Sequence, residues 1–391
     1  MTSITSNVVR TADVDGNREN RTFGTFEIVS DGNESDTDAT VRFHHEVDAG
    51  LAAEWADLAG RAGGHVSSRP DYARGAVAIR KPRRPLVVTV HRGTRLAAVA
   101  PFAVRRFGPF RLARLTGDDF GMINEIVAED DAAADALWSA LAAHRVAVFL
   151  GAMDERNRAL RRLREKTDWA SSCEVGHVVT VVDVPATGPG AIGLRSRGSR
   201  RRLRATRHRH VEAGTPLAVE FLTTAAELDD RWNDMVRLSA IGVAGHPRTD
   251  FLAPPLGDFV RPVLQREAEA GRLVVVTLAV GGTSAAQLLM IRSGHTLEGW
   301  LTHFDPAFSE VQPGHQMMEA LVDHARATGV DTIDLGIGPT GFKKAWGTRE
   351  YASLTVTSMP PGTHGARYLL PVARRAATVT PKSIVRRILR R

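Results

Sequence analysis

The sequence predicts an α/β fold in two lobes, each a mixed central sheet flanked by helices, and three observations carry that prediction. The chain has 391 residues, too many for one small core, and its 43% hydrophobic and 24% charged content is that of a globular protein. Two segments share one layout, "RPLVVTVHRGTRLAAVAPFAVRR" (Arg84–Arg106) and "GRLVVVTLAVGGTSAAQLLMIRS" (Gly271–Ser293). Each runs apolar strand, Gly-Thr turn, Ala-Ala, second apolar strand, and a spacing near half the chain suggests a duplicated unit. Between them, "DVPATGPGAIG" (Asp183–Gly193) has the Pro/Gly content of a connector.

Residues 1–40 are polar, rich in Gly, Asp, Asn and Ser, and without helical periodicity; they are expected to be a disordered lead. No basic start with an apolar block marks a secretory signal. The first lobe is placed at 41–184, with "FRLARLTG" as a further strand after its hairpin. A linker at 185–193 leads to the second lobe, 194–360, where "TLEGWLTHF" is the strand after the hairpin. Strict alternation there puts Glu298, Trp300, Thr302 and Phe304 on one face and Leu297, Leu301 and His303 on the other. Pro313-Gly314 opens a helix whose Met317, Met318, Leu321, Val322 and Ala325 form one buried stripe, and Gly329 stops it. Ile333, Leu335 and Ile337 alternate as the next strand, which turns Asp334 to the opposite side. Residues 361–391 form a basic, mostly helical tail interrupted by Pro381.

No window approaches the ~18 uncharged apolar residues of a spanning helix. The single Cys173 excludes an internal disulfide and any multi-cysteine metal site; no metal is expected, and the location is expected to be cytoplasmic. A formal charge of +7 favours a negatively charged partner: nucleic acid, a phosphorylated cofactor, an acidic carrier protein or lipid head groups.

A helix start presents free backbone N–H groups and suits phosphate, and Gly314 lets a ligand approach the backbone. The stretches "SRGSRRRLRATRHRHVEAG", "FDPAFSEVQPGHQMMEALVDHA" and "TIDLGIGPTGFKKAWG" together resemble the GNAT superfamily of acyltransferases. Within it they are similar to the tandem-lobed branch of cellulose-biosynthesis-associated acetyltransferase-like proteins and Fem-type aminoacyltransferases. The resemblance covers most of the second lobe and the first only in outline, through "RPLVVTVHRGTRLAAVAPF" and "LTGDDFG". It implies two GNAT-like lobes and an amide-forming N-acyltransferase. No cofactor would be permanently bound; acyl-CoA or a phosphopantetheine-linked acyl donor would be a co-substrate. Donor binding would fall to Gln312, Gly314, His315 and Gln316, with Arg201 and Arg204. Val311 and Gln316 stand where simple members carry Arg or Gln and Gly or Ala, which speaks against tight wrapping of a free pyrophosphate and brings in an acyl carrier protein as donor. The long helical arm of Fem-type enzymes is absent, which disfavours a tRNA donor without excluding it.

Acyl transfer to an amine needs both substrates held together, a proton acceptor, donors for the oxyanion and a leaving thiolate. Glu298, His303, Asp305 and Asp334 are the candidate proton acceptors, with a histidine needing little tuning. The resemblance implies that a backbone N–H around His303 to Asp305, on the strand before the loop, serves the oxyanion; the Tyr351 phenol is the candidate to protonate the thiolate. Trp300, Phe342, Lys343, Lys344 and Trp346 are candidate substrate contacts, with His246 and Arg248 of "GHPRTDF" on a loop over the acceptor amine. The plain structural roles stay open: a packed face for His303, a turn or cap for Asp334, a solvated turn for the lysines.

Eight arginines lie between Arg195 and Arg209; in a helix, Arg197, Arg200, Arg201, Arg204 and Arg207 share a face. No interleaved aromatic and no DNA-reading motif accompany them, so sequence-specific DNA binding is not expected. A coenzyme phosphate, an acidic carrier protein, tRNA or solvent remain open. The tail arginines offer a membrane surface contact, a carrier-protein contact or a cover for the second lobe. The rival readings are a Fem-like aminoacyl-tRNA-dependent transferase and a non-catalytic binder of polyanions or membranes.

Overall fold

In the computed structural model the described residues are 26–29, 38–82, 84–107, 110–188, 190–244, 249–338, 341–363 and 369–374. They form an α/β fold in two units. Unit 1 comprises Met1–Asp118, Asn124–Gly176 and Ser353–Arg391; unit 2 comprises Asp119–Ile123 and His177–Ala352.

Unit 1 contains β1 (Phe26–Val29), β2 (Asp38–His44), α1 (Ala49–Ala62), α2 (Pro70–Arg80), β3 (Pro85–Arg92), β4 (Arg95–Phe107), β5 (Phe110–Leu115), β6 (Val127–Ala128), α3 (Asp131–Ala143), β7 (Val146–Asp154) and α4 (Arg158–Glu165). Strand β8 (Ala170–Asp183) belongs to unit 2 from His177 onward. Unit 2 continues with α5 (Arg197–Glu212), β9 (Leu217–Leu222), α6 (Ala225–Val243), α7 (Gly257–Glu269), β10 (Leu273–Val280), β11 (Thr283–Ser293), β12 (Thr296–Phe304), α8 (Pro313–Ala327), β13 (Thr332–Ile337) and α9 (Gly341–Trp346). Strand β14 (Arg349–Met359) returns to unit 1 from Ser353.

The aliphatic runs are strands because they can be buried along their whole length. In β3 every residue from Leu86 to His91 is buried. β1 to β5 pair antiparallel in sequence, whereas β5 pairs β7 in parallel, as a crossover through α3 requires. In unit 2 the order is β8-β13-β12-β11-β10-β9, with β12 and β13 parallel and the rest antiparallel. The stripe of α8 packs on one face of this sheet, joining Met317, Met318, Leu321 and Val322 to Leu288, Met290, Leu297 and Leu335 in one buried cluster. The other face receives α6, which begins with a Thr224–Glu227 capping box.

Two expectations need correction. Residues 26–29 and 38–40, assigned to the lead, are strands, because "FEIV" and "ATVRF" alternate within polar surroundings and pair with each other (Phe26↔Val41). Residues 353–359, assigned to the second lobe, pair with β7 of unit 1. A 3-10 turn, Gly190–Leu194, lies at the end of the connector. The rest of the lead, and the tail beyond residue 374, lie outside the described residues. Among the described residues no helix is long and apolar enough to cross a membrane.

Candidate active site

The site originates in one extra residue. β11 and β12 pair Leu289 with Leu301 but Met290 with Gly299, so Trp300 is a bulge. Beyond it the alternation is reversed. Cross-strand partners share a face, and the register gives Glu298↔Ile291, Leu301↔Leu289 and His303↔Gln287. Glu298, Leu301 and His303 therefore lie together on the α6 face, while Leu297, Thr302 and Phe304 face α8. This corrects the strict alternation expected from sequence, which set His303 opposite Glu298.

The parallel β12–β13 pairing ends at the same place. It spans Thr296↔Thr332, Leu297↔Ile333 and Glu298↔Asp334, then stops. Gly336 has φ of 69° and a Cβ there would lie 2.3 Å from the Gly299 carbonyl oxygen, so two glycines let the backbones cross as they part. Asp305 N–H is bonded to Ala285 O at 2.9 Å. Alternation along β12 then turns the amides of Thr302 and Phe304 toward the edge that β13 has left.

A cavity of about 730 Å³ occupies the opening. Phe251, Trp300, Leu301, Met317, Leu335 and Phe342 make it mainly apolar; His303, Gln312, Gly314, His315 and Lys343 also line it. Trp300 is fixed by an Nε1–H bond to Phe120 O at 2.8 Å. Lys343 is buried, its Nζ donating to Ile337 O at 3.0 Å and to Gly336 O at 3.4 Å.

His303 is a lining group at the centre of a chain of hydrogen bonds. Gln287 Nε2 donates to Met235 O (2.9 Å) and to His303 Nδ1 (3.1 Å). The ring hydrogen then sits on Nε2, which meets Ser239 Oγ at 3.2 Å, and Ser239 donates to Asp250 Oδ1 at 2.6 Å. That carboxylate is oriented by the amides of Leu252 and Ala253. Gly242 of α6 lies against the imidazole, where a Cβ would come within 3.2 Å of His303 Cβ.

The other carboxylates are placed differently. Asp334 is buried; Oδ1 accepts from Gly336 N (2.7 Å) and Oδ2 from the Tyr351 hydroxyl (2.6 Å). It holds the strand end at the divergence, and neither it nor Tyr351 lines the cavity. Glu298, its buried register partner, does not line it either. Asp305 caps a 3-10 turn by accepting from Ala307 N at 2.9 Å.

The start of α8 is less open than the sequence suggested. Gln312, in the left-handed region at φ 56°, accepts from the amides of His315 and Gln316, and Pro313 has no N–H. Only the Gly314 amide of the first turn has no acceptor among the described residues. A Cβ at Gly314 would meet Phe342 Cγ at 2.9 Å, so the aromatic ring leaves no room for a side chain there. His315 Nδ1 accepts from Trp346 Nε1 at 3.0 Å; burial, with Arg195 and Arg202 nearby, holds its pKa below the ordinary value, so it is a neutral imidazole with Nε2–H. Gln316 is buried and accepts from Arg207 Nε at 2.7 Å. Trp346 lies in the core under Arg195, 5.1 Å from its ring centre. Lys344, Arg201 and Arg204 are exposed and do not line the cavity. His246 and Arg248 lie outside the described residues. Sequence reasoning missed Gln287, Ser239 and Asp250; nothing local to them signals the chain they form.

The family model described as "Acetyltransferase (GNAT) domain" matches residues 197–344, the segment that builds this cleft. Over those residues the chain is similar to the GNAT acetyltransferases. Its likeness to solved structures is one of fold alone. FemX superposes with a TM-score of 0.54 at 12% identity, covering 81% of this chain and 96% of that one. The C-terminal domain of a putative lysylphosphatidylglycerol synthetase from Agrobacterium fabrum gives 0.52 at 14%, covering 82% and 94%. A conserved protein from Bacteroides thetaiotaomicron gives 0.51 at 10%, covering 82% and 99%. Among curated proteins none matches the chain.

Proposed function

We propose that the protein is an N-acyltransferase that moves an apolar acyl group from a pantetheine thioester, on coenzyme A or on a carrier protein, to an amine in a ternary complex. The observation that supports this reading is the break in β12–β13 pairing at Glu298 and Asp334, opening into an apolar cavity with unpaired strand amides at its edge. Pantetheine is an extended chain with two amides, which suits an open strand edge. The amine nitrogen attacks the thioester carbonyl, the C–N bond forms, the C–S bond breaks, and the leaving thiolate takes its proton from solvent. The Phe304 amide is the donor for the developing oxyanion. His303 is the proton's way out: a proton taken at Nδ1, once the Gln287 amide gives way, is matched by release of the Nε2 hydrogen toward Ser239 and Asp250. Asp334 and Tyr351 act as positioning groups that hold the strand end open.

A Fem-like aminoacyl donor is the weaker reading. Its α-ammonium asks for a carboxylate, and among the described lining residues there is none; Lys343 would repel it. The test is a panel of short- to long-chain acyl thioesters mixed with a library of amines, amino acids and amino sugars, read by mass spectrometry for amide and by thiol release. Amide formed in step with thiol is the expected result. Thiol release with no amide from any amine, or transfer only from aminoacyl-tRNA, would sink the proposal.

A further inference from the structure

The unexplained feature is α5. It carries seven arginines and one carboxylate, Glu212. Arg207 is bonded to Gln316 and Glu319 of α8, each at 2.7 Å. Arg197, Arg200, Arg201, Arg202 and Arg204 have no carboxylate partner among the described residues, and all but Arg200 are exposed. Like charges three and four residues apart repel on a helix, at roughly 0.2–0.5 kcal/mol per pair, so the row is an internal liability unless something anionic meets it.

Its position ties it to the cavity. Arg195, just before the helix, stacks on Trp346, Trp346 donates to His315, and His315 is cavity wall. Arg207 grips Gln316, the next residue of α8. The charge row thus begins one side chain away from where a thioester arm would enter.

The chemistry of the anion follows from three facts. A free pyrophosphate lacks a cradle at α8, where one amide remains and Phe342 covers Gly314. The row from Arg197 to Arg209 extends about 18 Å at 1.5 Å per residue, far more than one phosphate occupies. α5 has no Phe, Tyr or Trp on which a base could stack, which a nucleic acid partner would use. We propose that α5 docks an acidic acyl carrier protein whose phosphopantetheine arm reaches into the β12–β13 cavity. This rests on the reading of that cavity as a thioester site.

The test compares binding of four probes to the full chain by calorimetry: the octanoyl thioether analogues of pantetheine, of coenzyme A, and of an acidic acyl carrier protein, and tRNA. Each is titrated into the wild type and into the triple variant Arg197→Glu, Arg201→Glu, Arg204→Glu, whose altered side chains are exposed and outside the cavity. Electrostatic steering across such a surface is worth on the order of 10- to 1,000-fold. The expected result is that the carrier probe binds about 100-fold more tightly than the pantetheine probe, loses that advantage in the variant and at high salt, and leaves pantetheine binding unchanged. Carrier binding no tighter than pantetheine overturns the docking proposal while sparing the thioester site. Equal weakening of the coenzyme A probe overturns it in favour of a nucleotide phosphate on α5. Tighter, variant-sensitive binding of tRNA than of the carrier overturns it in favour of nucleic acid. Absence of pantetheine binding overturns the thioester site itself, and the docking proposal with it.

Discussion

The parallel strand pairs of the two units begin alike and end differently. In unit 1, β5 and β7 pair from Arg111↔Val146 to Arg114↔Phe149. Beyond that point Asn124 continues along β7: its amide donates to Ala152 O, Asp154 N donates to its carbonyl, and its side chain donates to Gly151 O. Asp118, held by Arg114 at 2.7 Å, lies where a Cβ on Gly151 would be. In unit 2, β12 and β13 pair over three residues and the edge is then left open. Backbone donors must find acceptors, and the two units differ in how they meet that demand: one stitches the edge with its own residues, the other leaves it open to the cavity. Equivalent strand order therefore does not make equivalent sites.

The largest effect is expected where the opening is held apart. Gly336→Val forces a side chain into the Gly299 carbonyl at a left-handed backbone position and should cost about 3 kcal/mol or more in urea unfolding. Acyl transfer by this variant should fall to background. Next comes the closed edge of unit 1: Asn124→Ala should cost about 1–3 kcal/mol through lost buried hydrogen bonds, with transfer by the folded protein unchanged. A loss of transfer there would break the contrast between the two edges. Gly314→Ala should lower kcat/KM about tenfold by displacing Phe342, and Phe342→Leu in the same chain should restore much of it. The smallest effect is a pH slope. Burial, with Arg111 nearby, lowers the pKa of His144 in unit 1 from 6.5 to about 4. As pH falls from 6.5 toward 4 the unfolded chain takes up a proton that the folded chain refuses, so stability declines over that window and is unaffected by this group above it. His144→Gln should flatten that part of the stability profile, measured by chemical unfolding at stepped pH.

Much of this was legible where period and composition speak. The α8 stripe, the two hairpins and the β13 alternation were readable because each repeats over several residues. The bulge was not: "TLEGWLTHF" alternates plausibly in either register, and only Gly299 inside a strand hinted at irregularity. Asp334 and Tyr351 were singled out separately, but their bond joins residues 17 apart and gives the carboxylate a positioning role that no local pattern encodes. Gly314 was noticed for room at its backbone, but the Phe342 ring packed against it comes from a residue 28 positions on and has no local signal.

Trp300 has a last consequence. Because it is a single inserted residue, it sets the phase of everything downstream on β12. Pairing the same residues without the bulge would set Trp300 opposite Leu289 and His303 opposite Ala286, carrying His303 to the α8 side and Phe304 toward α6 without altering the chemical identity of any group. Which side chains this lobe turns to each helix layer is thus written partly in register, as a parity that one bulged residue decides.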